Sequence, residues 1–428
     1  MVRAPNGMPY VRVQPPQHGV LAMADNAYAV TTPQNARIVT GMSTATSNMQ
    51  AQQWDIVVIG AGMAGASVAW HLAQAGQRVL VLERESQPGY HTTGRSAALF
   101  EEHYGPAQVQ ALTRASRAFY ESPPAGFVDV PLLHARGVMY VATVAQKPLI
   151  DAAYAEAAKH SPNAQRLNGD ALRALVPVLN ASIVDGFVDD GARDIDVHAL
   201  HQGFLRGLRQ QGGTLWCNAE VSGLAHDSAT RTWAITLADG RNLHAHTLVN
   251  AAGAWADNMG ELAGARAIGL VPARRSAFTF PVPEGTEAAH WPAVISADES
   301  FYFKPDAGQL LGSPANADAT YPHDVQPEEE DIATGIWNIE QATTLQIRRP
   351  SHTWAGLRSF VADGEMVIGW DDQIPGLFWV AAQGGYGIQS AAAYGLLARN
   401  LLLNEPVDAQ LLAQGVEVEC LQPVRLQK

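Results

Sequence analysis

Residues 55–65, Asp-Ile-Val-Val-Ile-Gly-Ala-Gly-Met-Ala-Gly, constrain the fold more than any other stretch of this 428-residue chain, because each part has a separate mechanical job. The apolar run 55–59 suits a parallel strand buried on both faces. Gly60 permits a tight turn, Gly62 has no side chain to hold a phosphate off the backbone, and Gly65 lets a helix starting at Met63 pack closely on the strand. Residues 78–83, Arg-Val-Leu-Val-Leu-Glu, read as a second strand. Glu83 closes it about 20 residues past the last glycine, where a carboxylate accepts hydrogen bonds from a ribose and disfavours a 2′-phosphate. Strand, glycines, helix, second strand and terminal acid in one unit predict a bound dinucleotide with its pyrophosphate at the helix N-terminus. The competing view is a plain βαβ turn with Glu83 in water.

Composition sets outer limits. Hydrophobic residues at 47% and charged residues at 16% suit large buried cores, and the length suits two domains. A net charge of −13 argues against nucleic acid as a partner. Cys217 and Cys420 are too few and too far apart for a disulfide framework, and His91, His103 and His198 lack metal-like spacing, so no metal is expected. Residues 1–52, rich in Pro, Gln, Asn, Ser and Thr, are expected to form a disordered tail, with Met42 and Met49 as alternative starts. Val20-Leu21-Ala22-Met23-Ala24 is cut short by Asp25, so no secretory signal is expected, and no run is long enough to span a membrane. The expected location is cytoplasmic, with at most a peripheral contact at the inner membrane.

Farther on, Asp196 is positioned to cap a helix whose residues Ala199, Leu200, Phe204, Leu205 and Leu208 share one face and which Gly212-Gly213 stops. Short strands follow near 215–217, 221–224 and 232–237, with Asp239-Gly240 as a hairpin turn. Residues 248–255, Leu-Val-Asn-Ala-Ala-Gly-Ala-Trp, and 377–388, ending Gln-Gly-Gly-Tyr-Gly-Ile, each run a buried strand into small residues. The second of these turns opens a helix over 389–402, whose positive end would suit the negative charge of a reduced flavin. Three such turns favour FAD over NAD; tight packing of strand on helix is the alternative for each. Pro327-Glu328-Glu329-Glu330-Asp331 reads as a helix start, with proline at the first position and acids facing the dipole, and is given no chemistry.

Together with residues 88–98 (Pro-Gly-Tyr-His-Thr-Thr-Gly-Arg-Ser-Ala-Ala), 274–278, 298–306 and 354–360, these segments resemble the D-amino-acid oxidase superfamily, most of all its bacterial D-arginine dehydrogenases, from Asp55 to the C-terminal helix. The resemblance implies an α/β fold with a discontinuous Rossmann-like, GR2-type FAD-binding domain over 53–105, 180–265 and 350–428. The remaining segments, 106–179 and 266–349, would form an α+β substrate domain on an antiparallel or mixed sheet. It implies non-covalent FAD held by Gly60, Gly62, Ala64, Gly65, Glu83, Arg84, Thr93, Gly94, Arg95, Ser96, Ala98, Val221, Ala252, Gly253, Trp255, Gly356, Gly384, Gly385, Tyr386, Gly387 and Ile388. It also implies oxidative deamination of a D-amino acid: hydride passes from Cα to flavin N5, and the imino acid hydrolyses to a 2-oxo acid and ammonia. The electron acceptor, whether quinone, dye-like carrier or oxygen, is not encoded in a motif.

The positions matching that family's catalytic groups are Arg275, Arg358, Tyr302, Tyr104 and the Gly385 carbonyl. The chemistry suits them, since planar guanidinium groups grip a carboxylate with paired hydrogen bonds and alignment supplies most of the catalysis. Taken singly, Arg274-Arg275 would be a surface basic pair and the tyrosines amphipathic packing residues. Two departures are expected to change the side-chain pocket. Val138 stands where the family pairs a glutamate with a cationic substrate, and Leu99 replaces a histidine, leaving Glu101 as an alternative carboxylate. A preference for neutral or apolar side chains follows, because an unpaired buried cation costs several kcal/mol. A D-arginine-type preference, or oxidation of glycine, a secondary amine or a 2-hydroxy acid by the same carboxylate clamp, are the alternatives.

Overall fold

The computed structural model describes residues 53–161 and 163–426; the expected tail over 1–52 lies outside them. Strand β1 (Gln53–Ile59), helix α1 (Met63–Gln74) and strand β2 (Val79–Leu82) form the predicted unit. β1 is flanked in parallel by β2 on one edge and by Asn242–Asn250 on the other, and its two faces enter separate apolar layers, Ile56 and Val58 in one and Val57 and Ile59 in the other, which is why its sequence is continuously apolar rather than alternating. Thr214–Trp216 extends the sheet beyond β2. At its opposite side Asn242–Asn250 carries two partners: the antiparallel Thr232–Leu237 along its first half and the parallel Leu377–Ala381 along its last residues. With Val221–Asp227 and Val367–Trp370 the sheet has eight strands.

Helices α1, Val197–Gln210, Ala107–Glu121 and Ala391–Leu402 bury an apolar layer on one face of this sheet. Trp233, Trp379, Leu243 and Ala256 fill the other. Asp196 does cap Val197–Gln210, its Oδ1 accepting from the Ala199 amide at 2.8 Å. No helix among the described residues is long and apolar enough to cross a membrane.

A second, nine-stranded sheet stands beside the first. It is mixed: Ala293–Ser296 runs parallel to Val138–Ala142, and the other pairs are antiparallel. Phe278, Phe303, Trp291 and Ile339 form its core under helix Glu329–Ala342. Sheet membership departs from the segment boundaries at 180 and 350. Asp185–Asp189 pairs with Val138–Ala142, and His352–Phe360 pairs along nearly the whole of Val271–Pro281, both in the second sheet. Motifs locate a segment in sequence, but these pairings are set by partners far along the chain. Helix Glu329–Ala342 begins after an N-cap at Glu328, so Pro327 precedes the helix rather than occupying its first turn.

Candidate active site

β1 ends in a turn that only glycine can make. Gly60 has φ +102°, and a Cβ on it would lie 2.4 Å from the Ala251 carbonyl oxygen; a Cβ on Gly65 would lie 1.9 Å from the Gly60 oxygen. The turn is therefore clamped between α1 and the end of Asn242–Asn250, and the surface it leaves is bare backbone facing a cavity. Glu83, 8% exposed, braces the turn. Its Oε2 accepts the Ala61 amide at 2.9 Å and its Oε1 the Glu85 amide at 3.0 Å. A carboxylate has about four acceptor sites, so capacity for a ribose remains. The Met63 amide at the start of α1 donates to Thr93 Oγ1 at 2.9 Å, tying the helix N-terminus to the 88–98 segment. Arg84 stacks over the Trp255 ring, 3.9 Å from its centroid, on the same cavity. Arg95 is anchored by the Val325 and Ala355 carbonyls and by Asp324.

Gly62, Ala64, Ser96, Val221, Ala252, Gly253 and Gly356 also line this cavity, and so do Gly384, Gly385, Gly387 and Ile388. Ala98, with φ +51°, lines the smaller neighbouring one. Gly65 and Gly94 do not face either; each sits against backbone, and a Cβ on Gly94 would lie 2.8 Å from the Gly89 oxygen. Tyr386 is likewise absent from both walls, its buried ring packing edge-on to Tyr104 at 5.1 Å. The helix after this glycine turn also differs from expectation. It begins at Ala391, and the Ala391 and Ala393 amides donate to Tyr120 Oη (3.1 Å) and Ser116 Oγ (3.0 Å) of Ala107–Glu121. What this segment presents to the cavity is the glycine turn before the helix.

Arg275, Arg358, Tyr302 and Gly385 line both cavities, so they stand where the two join. Arg274 and its neighbour Arg275 project from opposite faces of one strand. Arg274 pairs with Asp331 and Glu328, whereas the Arg275 Nε donates to the Asn316 carbonyl. Among the described residues no carboxylate lies within ion-pair distance of Arg275 or Arg358. Burial, and then the charge of Arg358, hold the Arg275 guanidinium below its ordinary pKa, yet a guanidinium stays cationic. Two neighbouring buried cations without an ion pair, with the Tyr104 and Tyr302 hydroxyls and the more distant Glu299 carboxylate around them, are chemically suited to an anion.

The smaller cavity, about 80 Å³, is walled further by Tyr104, Leu99, Glu101, Tyr140, Ile295 and Glu299. Val138 is not on that wall. It is fully buried with Ala192 and Ala293, behind Leu99 and Tyr140. Tyr140, two residues on, shares its face of the strand; Ala192, Ala293 and Leu99 pack over Val138, and Tyr140 is the side chain that reaches the cavity. Tyr140, Ile295 and Glu299 are among the wall residues that motif reading passes over; the period of two starting from Val138 is a signal for the first. Asp331, expected only to face a helix dipole, turns inward and joins Arg274, Ser276 and Asn316.

A glycine turn of bare backbone on a cavity, an acid at the end of β2 and two buried arginines at the far end fit the architecture of a flavin-dependent oxidoreductase. The chain belongs to the FAD dependent oxidoreductase (DAO) family, whose profile matches residues 55–401, and FAD is its cofactor. Mitochondrial dimethylglycine dehydrogenase of Mus musculus is 26% identical over 266 residues, covering 61% of this chain; the chain spans about 30% of that relative's length. Glycine oxidase of Bacillus licheniformis is 23% identical over 84% of this chain and 95% of its own. Among solved structures, L-proline dehydrogenase from P. horikoshii superposes with a TM-score of 0.74 at 20% identity, over 88% of this chain and 98% of its own. FAD-bound L-alpha-glycerophosphate oxidase from Mycoplasma pneumoniae gives 0.74 at 17% identity, over 82% and 95%. These structural likenesses show a shared fold.

Proposed function

We propose that the protein is an FAD-dependent dehydrogenase of small D-amino acids, converting them through the imino acid to a 2-oxo acid and ammonia. The observation that carries this is the buried pair Arg275 and Arg358, without an ion-pair partner at the junction of the two cavities, which suits a carboxylate next to the flavin site. FAD, held without a covalent bond by the glycine turns and Glu83, supplies the hydride acceptor. The chain's own part is to bind and orient. Arg275 and Arg358 grip the acid group, and the Tyr104 and Tyr302 hydroxyls complete the clamp. The Gly385 carbonyl, where both cavities meet, would accept from the substrate's amine, and a substrate held in this way would be oriented for reaction with the bound FAD. The D configuration is supported by the likeness of Tyr104, Arg275, Tyr302, Arg358 and Gly385 to the D-arginine dehydrogenase pattern. The wall encloses about 80 Å³, which favours a short side chain; Leu99 and Ile295 form its apolar part and Glu101 and Glu299 its acidic part.

A secondary amine such as an N-substituted glycine is the second reading, favoured by the matches to dimethylglycine dehydrogenase and glycine oxidase. Anaerobic titration of the FAD-loaded protein with single D-amino acids, L-amino acids and N-methylated glycines separates the two. Bleaching of the flavin band by neutral D-amino acids supports the first, whereas bleaching by glycine derivatives alone moves the assignment to the second. Oxygen uptake compared with dye or quinone reduction identifies the electron acceptor.

A further inference from the structure

A second group of ionisable side chains lies on the small cavity, away from the arginines. Glu101, just after strand Leu99–Phe100, is 3% exposed and forms part of the wall. Its Oε1 accepts a hydrogen bond from the Tyr140 hydroxyl at 2.7 Å. His103 Nε2 lies 3.5 Å from the same oxygen and 3.3 Å from Asp189 Oδ2, and Asp189 is fixed by the Gly191 amide at 2.8 Å. Among the described residues neither ring nitrogen of His103 has a well-formed hydrogen bond, so the imidazole stands between two carboxyl groups and is locked to neither. The described residues contain no group of His, Cys, Asp and Glu arranged for a metal ion. Two buried carboxyl groups around an imidazole are costly unless they share protons or meet a cation.

We propose that Glu101 takes the proton that the substrate's ammonium group must lose before its Cα–H bond breaks, with His103, itself beside Asp189, positioned to support the Glu101 carboxylate until that proton arrives. The proposal rests on the reading of the substrate as an amino acid. A zwitterion with its carboxylate on Arg275 and Arg358 carries its ammonium into the same small cavity, and Glu101 is a carboxyl group on that wall. In the step, one N–H bond breaks, its electron pair stays on nitrogen, and an O–H bond forms on Glu101. Nothing is oxidised until the hydride leaves Cα for the flavin. The groups around Glu101 act in both directions. Burial raises its pKa most, His103 and the Tyr140 hydroxyl lower it, and Asp189 and Glu299 raise it. The net displacement is upward, toward the pH range in which a general base is effective.

The test is the pH dependence of kcat/KM for the FAD-loaded enzyme and its Glu101→Gln, Glu101→Asp and His103→Gln variants. Glu101→Gln is expected to lose about 10²-fold near pH 7. It should converge on the parent above about pH 10, where free substrate arrives with its amine already neutral. Glu101→Asp should recover part of the loss, and His103→Gln should displace the acidic limb. Binding of a carboxylate that lacks an amine, followed by tryptophan fluorescence, should be unchanged in each variant and so marks a folded site. With that binding intact, a Glu101→Gln profile parallel to the parent at every pH overturns the proposal, as does an undisplaced limb in His103→Gln. If the parent itself oxidises no amine, the substrate reading fails first and takes this inference with it.

Discussion

Arg275 and Arg358 form a diagonal pair on one face of two antiparallel strands: Arg275 lies opposite Gly356, and Arg358, two residues farther along, lies opposite Ala273. Diagonal neighbours in a sheet stand about 7–8 Å apart at their backbones, within reach of long side chains that converge on one anion. Gly356 matters to this geometry because it puts no side chain beside Arg275.

Replacing either arginine by lysine keeps the charge and removes the planar fork. A hydrogen bond to a charged group contributes about 1.5–3 kcal/mol, so each single variant should lose about 10- to 100-fold in kcat/KM. Affinity for a plain carboxylate ligand should fall in parallel, while flavin content stays unchanged. Steady-state kinetics with absorbance-monitored ligand titration checks this; unaltered carboxylate affinity in both variants would remove the clamp from the account.

Gly65→Ala addresses the other end of the molecule. Its new Cβ would sit 1.9 Å from the Gly60 carbonyl oxygen, so α1 must move off β1 and the phosphate cradle must open. The variant should purify with far less FAD, read from the ratio of flavin to protein absorbance, and should melt at a lower temperature than the parent. Gly76→Ala is the control. A Cβ there meets nothing within 4 Å, though its φ of +81° carries a modest strain of its own. Equal flavin occupancy in the two variants would contradict the close-packing argument.

The features legible in the sequence were those fixed by local chemistry. The turn at Gly60, Gly62 and Gly65, the acid Glu83 and the cap Asp196 each depend on residues a few positions away, and all lie where their spacing places them. Arg275 and Arg358 emerged from long matching strings, not from any property of a lone arginine. What escaped depends on distant partners. Nothing near Asp185–Asp189 or His352–Phe360 announces that they pair with strands of the second sheet. Val138 and Tyr140 share a face, and only the packing of Leu99 and Ala293 decides which of them meets the cavity. His103 shows no motif at all, because its neighbours Glu101 and Asp189 come from different elements.

Asp331 should act on the substrate without touching it. It accepts bonds from Arg274 (2.7 Å), Ser276 (2.7 Å) and Asn316 (3.0 Å), and the carbonyl of Asn316 holds the Arg275 Nε. Burial works against the Asp331 carboxylate, but the bonds from Arg274 and Ser276 outweigh it and keep its pKa below the ordinary value. Asp331→Asn should therefore loosen Arg275 and raise KM several-fold, with kcat changed less. A fall in kcat at constant KM would assign Asp331 a different role. Because the pKa is depressed, the stability this group contributes is fully present above the ordinary carboxylate value and is lost as pH falls from there through the lower value of the folded chain.

His71 supplies the acid sensitivity of the flavin half. It is buried on α1, with Nε2 3.2 Å from the Ala392 carbonyl at the start of Ala391–Leu402. Burial drives its pKa from the ordinary 6.5 down to about 3, against the hydrogen bond to Ala392, and the charge of Arg399 adds to the fall. Above pH 6.5 neither the folded nor the unfolded chain protonates this ring. Between 6.5 and 3 the unfolded chain takes up a proton that the folded one refuses, so stability falls with acidification by at most about 1.4 kcal/mol per pH unit. Buried His201, whose Nε2 lies 2.9 Å from the Ala61 carbonyl, is shifted in the same direction and adds to the slope. Thermal melts of the parent and His71→Gln from pH 7.5 to 5 should show a shallower decline in the variant, on the order of 2 °C or less for each kcal/mol recovered. Because glutamine can donate to the Ala392 carbonyl without titrating, parallel declines would mean that the α1 contact with the last long helix already opens to water before it protonates.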